Sequence, residues 1–133
     1  MPEKKRDYIL FLEDILSAIG KIEMYTKELN YEEFSENSMI VDAVIRNFEV
    51  IGEATRNVPK RVKDKYPDVE WKETIGFRNV LTHDYFGIDL ESVWDTLKNN
   101  IPVLKRHIGE VLKSEQQGQQ GKDTITGWLT RIF

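Results

Sequence analysis

The chain contains no cysteine and only two histidines, His83 and His107. Disulfides and thiolate metal sites are therefore excluded, and a histidine-rich metal cluster is out of reach. Neither a metal ion nor a cofactor is expected. No run of about 18 apolar residues occurs, and the opening Met-Pro-Glu-Lys-Lys-Arg leads into an amphipathic segment rather than a uniformly apolar one. A soluble, cytoplasmic protein with no membrane partner is expected. An excess of positive charge is missing too: 19 Lys and Arg face 23 Asp and Glu, a net charge of −4. That balance argues against broad, non-specific coating of nucleic acid but leaves room for a local basic patch. No alternating strand pattern is found before residue 120.

What the chain has is helical periodicity. Its 133 residues, 40% hydrophobic and 32% charged, fit one domain with a core of ordinary size. Tyr8, Leu12, Ile15, Leu16, Ile19 and Ile22 recur at spacings of three and four, which predicts a helix with one buried stripe. Ile40, Val41, Val44, Ile45, Phe48 and Ile51 predict a second, capped by Ser35 or Ser38 and ending near Asn57 and Pro59. A third begins after Asp89, a candidate N-cap, and runs through Leu90, Val93, Trp94, Leu97, Ile101, Leu104, Ile108 and Val111, with a kink expected at Pro102. Between the second and third lie a short basic helix opening at Pro59, "PKRVKDKY", and a helix from about Val69 to Thr82. The fold class predicted is all-α: a four- to five-helix up-and-down bundle spanning residues 1–114.

After residue 114 the composition changes. "SEQQGQQG" is polar and has no large apolar residue, so residues 115–133 are expected to form a flexible linker followed by an apolar tail. Ile125, Trp128, Leu129, Ile132 and Phe133 give that tail more apolar surface than water tolerates well. Docking on the bundle, on a twin chain or on a partner, and a disordered end, are all compatible with it.

The residues with most chemical potential lie in "FRNVLTHDYFG", residues 77–87. Successive helical residues turn by about 100°, so Arg78 and His83 would stand about 140° apart on a continuous helix. If the helix ends at Thr82 or His83, "DYFG" can fold back, Gly87 permitting a tight turn, and bring Arg78, His83 and Tyr85 together. A histidine at a helix C-terminus also meets the negative end of the macrodipole, which favours its protonated form and suits acid/base chemistry. On spacing alone, a capping histidine, a packed tyrosine and a solvated arginine are the favoured reading, because such residues commonly finish helices.

Arg, four residues, His, any residue, Tyr, here Arg78 to Tyr85, resembles the signature of HEPN-domain proteins, specifically the HepT-like toxins. "AVIRNFEVIGEATRNVP" (residues 43–59) is similar to that family's second long helix, and "YPDVEWKETIGFRNVLTHDYFGIDLESVW" (residues 66–94) to its motif region and following helix. The resemblance covers residues 1 to about 114. It implies a HEPN bundle acting as a metal-independent RNase, the toxin of a type VII toxin–antitoxin pair whose antitoxin is a minimal nucleotidyltransferase of the MntA type. It assigns catalysis to Arg78 and His83, and makes Tyr85 the residue that the nucleotidyltransferase modifies with AMP. An inactive helical module that only positions the nucleotidyltransferase is the alternative.

The chemistry of RNA agrees with such roles. Its 2′-hydroxyl attacks the adjacent phosphate once a base removes the proton, so His83 suits general acid or base work and Arg78 suits the phosphate. Asn79, four residues before His83, either orients the histidine or the phosphate or is a helix-surface amide. One motif supplies one histidine while phosphodiester transfer needs a proton removed and another delivered, so a homodimer with a shared cleft is expected. In "PKRVKDKY", Lys60, Arg61, Lys63 and Lys65 are candidate RNA contacts or a solvated helix face. Glu53, in "IGEA", is either a supporting site residue paired with Arg78 or an exposed carboxylate.

Overall fold

The computed structural model describes the backbone of residues 2–83 and 89–132 and the side chains of residues 8–77 and 89–118. The chain is all-α, and no strand occurs among the described residues. Its helices are α1 (Pro2–Thr26), α2 (Tyr31–Glu36), α3 (Ser38–Asn57), α4 (Lys60–Lys65), α5 (Trp71–His83), α6 (Leu90–Asp95) and α7 (Ile101–Ile132), with a π turn at Thr96–Asn100 joining the last two. None of the described helices is long and apolar enough to cross a membrane.

The predicted stripes form the core. Tyr8, Leu12, Ile15, Ile19 and Ile22 of α1 are buried with Val41, Val44, Phe48 and Ile51 of α3 and with Val93, Leu97, Ile101, Leu104, Ile108 and Val111 of the final helical run. Fully burying each of the larger side chains contributes roughly 1.5–3 kcal/mol, which holds long helices together more firmly than their intrinsic propensity would.

Side-chain contacts fix the helix directions. Arg61 of α4, just beyond the end of α3, lies over the Tyr8 ring near the start of α1, so α3 runs antiparallel to α1. Tyr8 also bonds Glu115 of α7, while Glu23 near the end of α1 pairs with Lys105, so α7 is antiparallel to α1 as well. One end of the bundle therefore gathers the start of α1, the end of α3, α4 and the start of α5. The other gathers the end of α1, α2, the start of α3, the end of α5 and α6.

Three features differ from the sequence expectation. The cap of α3 is Asn37, whose side chain accepts from the Ile40 N–H, rather than Ser35 or Ser38. The reason is that an additional short helix, α2, occupies residues 31–36. Asn30 accepts from the Glu33 N–H and Glu33 reaches back to the Asn30 N–H, a reciprocal capping box. Phe34 anchors this single turn and a half by full burial.

Second, the irregularity expected at Pro102 takes the form of the preceding π turn, in which the Ile101 N–H bonds the Thr96 carbonyl five residues back. Proline has no N–H to give and its ring collides with the carbonyl four residues earlier; a wider turn removes that conflict. The spacing Val93, Leu97, Ile101 carries the same information. Two successive steps of four drift by about 80° on a regular α-helix, and the extra residue of the wide turn absorbs the drift.

Third, α7 runs through the stretch expected to be a linker, continuing to Ile132. The Gln, Glu, Lys and Ser residues of that stretch lose little on becoming helical, and each glycine costs only about 1 kcal/mol. Glu115, the first residue assigned to the linker, is buried. It accepts hydrogen bonds from the hydroxyls of Tyr8 (2.9 Å) and Tyr66 (2.6 Å) and from Lys65 Nζ (3.1 Å). The side chains of the apolar tail, residues 125–133, lie outside the described residues.

Candidate active site

The helix that carries the motif is well anchored at its start. The Trp71 indole N–H donates to the Tyr66 carbonyl (2.9 Å), and the Thr74 hydroxyl donates to the Glu70 carbonyl. Glu70 also meets His107 of α7, with 3.2 Å between Oε2 and Nδ1. The chain's second histidine thus holds the residue just before α5 to α7, at the opposite end of that helix from His83. Farther along, Phe77 meets Phe48 of α3 edge to face, ring centres 5.9 Å apart, an arrangement worth roughly 0.5–1.5 kcal/mol beyond the area it buries.

Phe77 sets the rotation of α5 immediately before the motif. The backbone stays α-helical to His83, so at about 100° per residue Arg78 and His83 fall to either side of Phe77, about 100° one way and 120° the other. Asn79 lies within about 40° of His83 on the face turned away from Phe77. Asn79 and His83 therefore share a face of α5, whereas Arg78 and His83 do not. The helix is described as far as His83, and the end needed for the chain to turn back lies outside the described residues. The side chains of Arg78, Asn79 and His83, and the whole of Tyr85 and Gly87, lie outside the described residues.

Glu53 projects from the exposed face of α3 at the rim of an open cleft of about 380 Å³ between α1 and α3. Phe11, Val50 and Ala54 provide its apolar lining, and Asp14, Glu49 and Arg46 its charges. Arg46 pairs with Glu49 at 3.4 Å. The expected partner of Glu53, the Arg78 guanidinium, is among the side chains not described.

The basic helix α4 is placed where sequence reading did not anticipate. It stands at the start of α5, and Trp71 and His83 are about 18 Å apart along that helix, so within one chain α4 and His83 occupy opposite ends of the bundle. Its cations are also engaged within the chain. Lys60 pairs with Asp64 at 2.8 Å, Arg61 covers the Tyr8 ring at 5.1 Å, and Lys65 pairs with Glu115. Lys63 donates to the Arg56 carbonyl at 3.4 Å, and burial lowers its pKa.

At the motif's own end of the bundle the structure adds residues that periodicity had assigned only to packing. Trp94 of α6 stacks on buried Phe34, ring centres 5.1 Å apart, and meets Tyr31 edge to face at 6.3 Å. Both Trp94 and Tyr31 are half-buried. The Asp89 side chain caps α6 by accepting from the Glu91 N–H and the Ser92 hydroxyl. His83 and this cap are separated only by residues 84–88, the connection that contains Tyr85.

With this arrangement in view, the sequence profile of the family described as "HepT-like: Ribonuclease HepT-like" matches residues 15–111, from the middle of α1 into α7. The chain belongs to the HepT-like ribonuclease family. It is 45% identical over 113 residues to "Putative RNase MJ0125" of Methanocaldococcus jannaschii, covering 85% of this chain and 97% of that protein. It is 43% identical over 101 residues to "Probable ribonuclease HepT" of Thermococcus cleftensis, covering 76% and 92%. A 36% match over 121 residues to "Gamma-glutamylcyclotransferase and putative RNase MJ0434", also from M. jannaschii, covers 91% of this chain but 54% of that protein. No solved structure matches. The profile includes the motif and ends four residues before Glu115, so the bonds that Glu115 makes fall outside the matched region.

Proposed function

We propose that this chain is a metal-independent endoribonuclease in which Arg78 and His83 act on one phosphodiester. The observation that carries the reading is the arginine–histidine–tyrosine motif at the end of α5 in a member of the HepT-like ribonuclease family. In the proposed reaction a base removes the proton of the RNA 2′-hydroxyl and the oxygen attacks the adjacent phosphorus. The 5′-oxygen then leaves with a proton, and a 2′,3′-cyclic phosphate remains. His83 performs proton transfer and Arg78 holds the phosphate oxygens through its planar fork of donors. Asn79, on the His83 face of α5, orients that histidine. Glu53 and the cations of α4 are proposed as supporting and substrate-contacting residues.

Because Arg78 and His83 stand about 140° apart on an unbroken helix, one protomer is poorly arranged to present both to the same phosphate. Two copies around a shared cleft supply the missing geometry and the second proton carrier. In this reading the chain is the toxin of a pair. Its nucleotidyltransferase partner transfers AMP from ATP to the Tyr85 hydroxyl, releasing pyrophosphate, and the added charge and bulk keep RNA from the cleft. Tyr85 occupies the connection immediately after His83, within a few residues of the group that its modification would block.

Purified protein is expected to cleave RNA undiminished in EDTA and to leave cyclic phosphate ends. Arg78→Ala and His83→Ala are each expected to abolish cleavage with helical content intact, and full cleavage by His83→Ala would refute the mechanism. After co-expression with the nucleotidyltransferase, intact mass is expected to rise by AMP units that Tyr85→Phe prevents.

A further inference from the structure

The end of the bundle beside the motif combines partly exposed aromatic rings with strong negative charge. Glu32, Glu33 and Glu36 lie on α2, and Asp89, Glu91 and Asp95 lie at the cap and along α6. Lys98, in the π turn, is the one cation on these elements. The Trp94 ring stacks on Phe34 and meets Tyr31 edge to face, and Asp89, Glu91 and Asp95 stand close enough for their charges to act on Tyr31. Burial, followed by the charges of Glu91, Asp89 and Asp95, raises the pKa of the Tyr31 phenol.

We infer that this aromatic shelf is a docking surface for a protein segment bearing arginine or lysine, with the Trp94 ring receiving the cation and the α2 and α6 carboxylates surrounding it. Two independent observations select this occupant. The ring already holds a cation: Lys98 Nζ stands 4.6 Å from the centre of the Trp94 ring, so the face has the geometry for cation–π contact and is occupied by a weak internal substitute. The surrounding charge then decides the chemical class. Asp89, Glu91 and Asp95 outnumber the one ammonium of α6 and the π turn and so favour a basic peptide over the phosphates of RNA on this shelf. Binding requires only that Lys98 swing away, and its head then meets solvent at little cost.

The location gives such a contact a use. The shelf starts at Asp89, and the Tyr85-bearing connection spans residues 84–88, so a protein held on Trp94 has that tyrosine within a short length of chain. The proposal rests on the reading above in one respect: it gives the partner that modifies Tyr85 a place to dock.

The test is an NMR titration of the full chain, following the Trp94 indole N–H, with a short peptide alternating arginine and glycine. A glutamate–glycine peptide and a short single-stranded RNA serve as comparators. The arginine peptide is expected to shift the Trp94 signal and the comparators to leave it in place. Trp94→Ala and the triple variant Asp89→Asn/Glu91→Gln/Asp95→Asn are each expected to weaken binding about tenfold. Lys98→Leu, which removes the internal competitor, is expected to tighten it by about threefold, an effect that a merely structural Trp94 would not produce. Glu13→Gln, on α1, is expected to change nothing. Unaltered affinity in the triple variant, weaker binding by Lys98→Leu, equal weakening by Glu13→Gln, or a larger Trp94 shift with RNA would each overturn the proposal. RNA cleavage does not enter these readouts, so failure of the ribonuclease reading and failure of the docking surface are separable.

Discussion

A single carboxylate, Glu115, receives bonds from Tyr8 on α1, from Lys65 on α4 and from Tyr66 just after α4, and so ties both flanking elements to α7. Burial alone would raise its pKa, but hydrogen bonds from Tyr66, Lys65 and Tyr8 and the charge of Lys65 outweigh it, and the net direction is down. The Tyr66 phenol is pushed up to about 12 by burial and by its bond to the Glu115 carboxylate. The signs follow. The Glu115 contribution to stability is complete above its ordinary value of 4.5 and is lost as pH falls through the lower folded value. The Tyr66 contribution is complete below 10.0 and is lost as pH climbs from there to about 12. Thermal unfolding across pH is expected to show both shoulders. Tyr66→Phe should remove the alkaline one, and Glu115→Ala the acid one while narrowing the alkaline one, since burial still raises Tyr66, with a loss of about 1–3 kcal/mol near neutrality because the Tyr8 and Tyr66 hydroxyls lose their acceptor. Sequence reading had placed Glu115 in a linker. No local pattern marks a glutamate whose partners lie 107, 50 and 49 residues away. The motif was the opposite case: Arg78, His83 and Tyr85 lie within one short stretch, where a resemblance to a family signature is visible in the linear pattern.

At the scale of elements, stripes at spacings of three and four located α1, α3 and the final helical run, because burial on one face leaves a periodic record. The segment that escaped, α2, is too short to show a period. Its signal was chemical: Asn30 followed by Glu33, a reciprocal cap, and one aromatic residue turned inward. Asn30→Ala removes the acceptor for the Glu33 N–H and is expected to cost about 1 kcal/mol, read as a lower denaturant midpoint with unchanged slope. Phe34→Ala, which removes the floor beneath Trp94 as well as a fully buried ring, should cost about 3–5 kcal/mol. The contrast separates the local closure of α2 from its packing. The basic helix α4 illustrates the reverse limit of sequence reading. Its composition suggested phosphate contacts; the Lys60–Asp64 pair within the helix follows from its i,i+4 spacing, whereas the contacts of Arg61 with Tyr8 and of Lys65 with Glu115 cross elements and cannot be seen in a linear pattern.

For the whole molecule, the antiparallel packing separates charge. Lys60, Arg61, Lys63 and Lys65 gather at one end, while the carboxylates of α2 and α6 gather at the end where α5 finishes. In the shared-cleft dimer proposed above, the His83 ends of the two copies face each other, so the α4 helices of both stand away from the cleft. Light scattering at micromolar concentration is expected to give a dimer mass. Mixing Arg78→Ala chains with His83→Ala chains, each inactive alone, is expected to restore partial cleavage through one intact composite site. A strict monomer with full activity would exclude the shared cleft, and absence of restored activity in demonstrated heterodimers would mean that each chain carries its own complete site.

The π turn at Thr96–Asn100 also acts as a phase correction. Downstream of it, α7 must present Ile101, Leu104, Ile108, Val111 and finally Glu115 to the rest of the bundle, and the one extra residue in the wide turn sets the angle at which that series begins. Wound as a regular α-helix, the same eight steps from Val93 to Ile101 would overshoot two turns by about 80° and carry the Glu115 carboxylate off the phenols of Tyr8 and Tyr66. Turn width and residue count are therefore coupled: a chain shortened by one residue here closes into a regular helix whose seven steps fall about 20° short of two turns and keeps the phase, whereas straightening the turn with all its residues retained loses it.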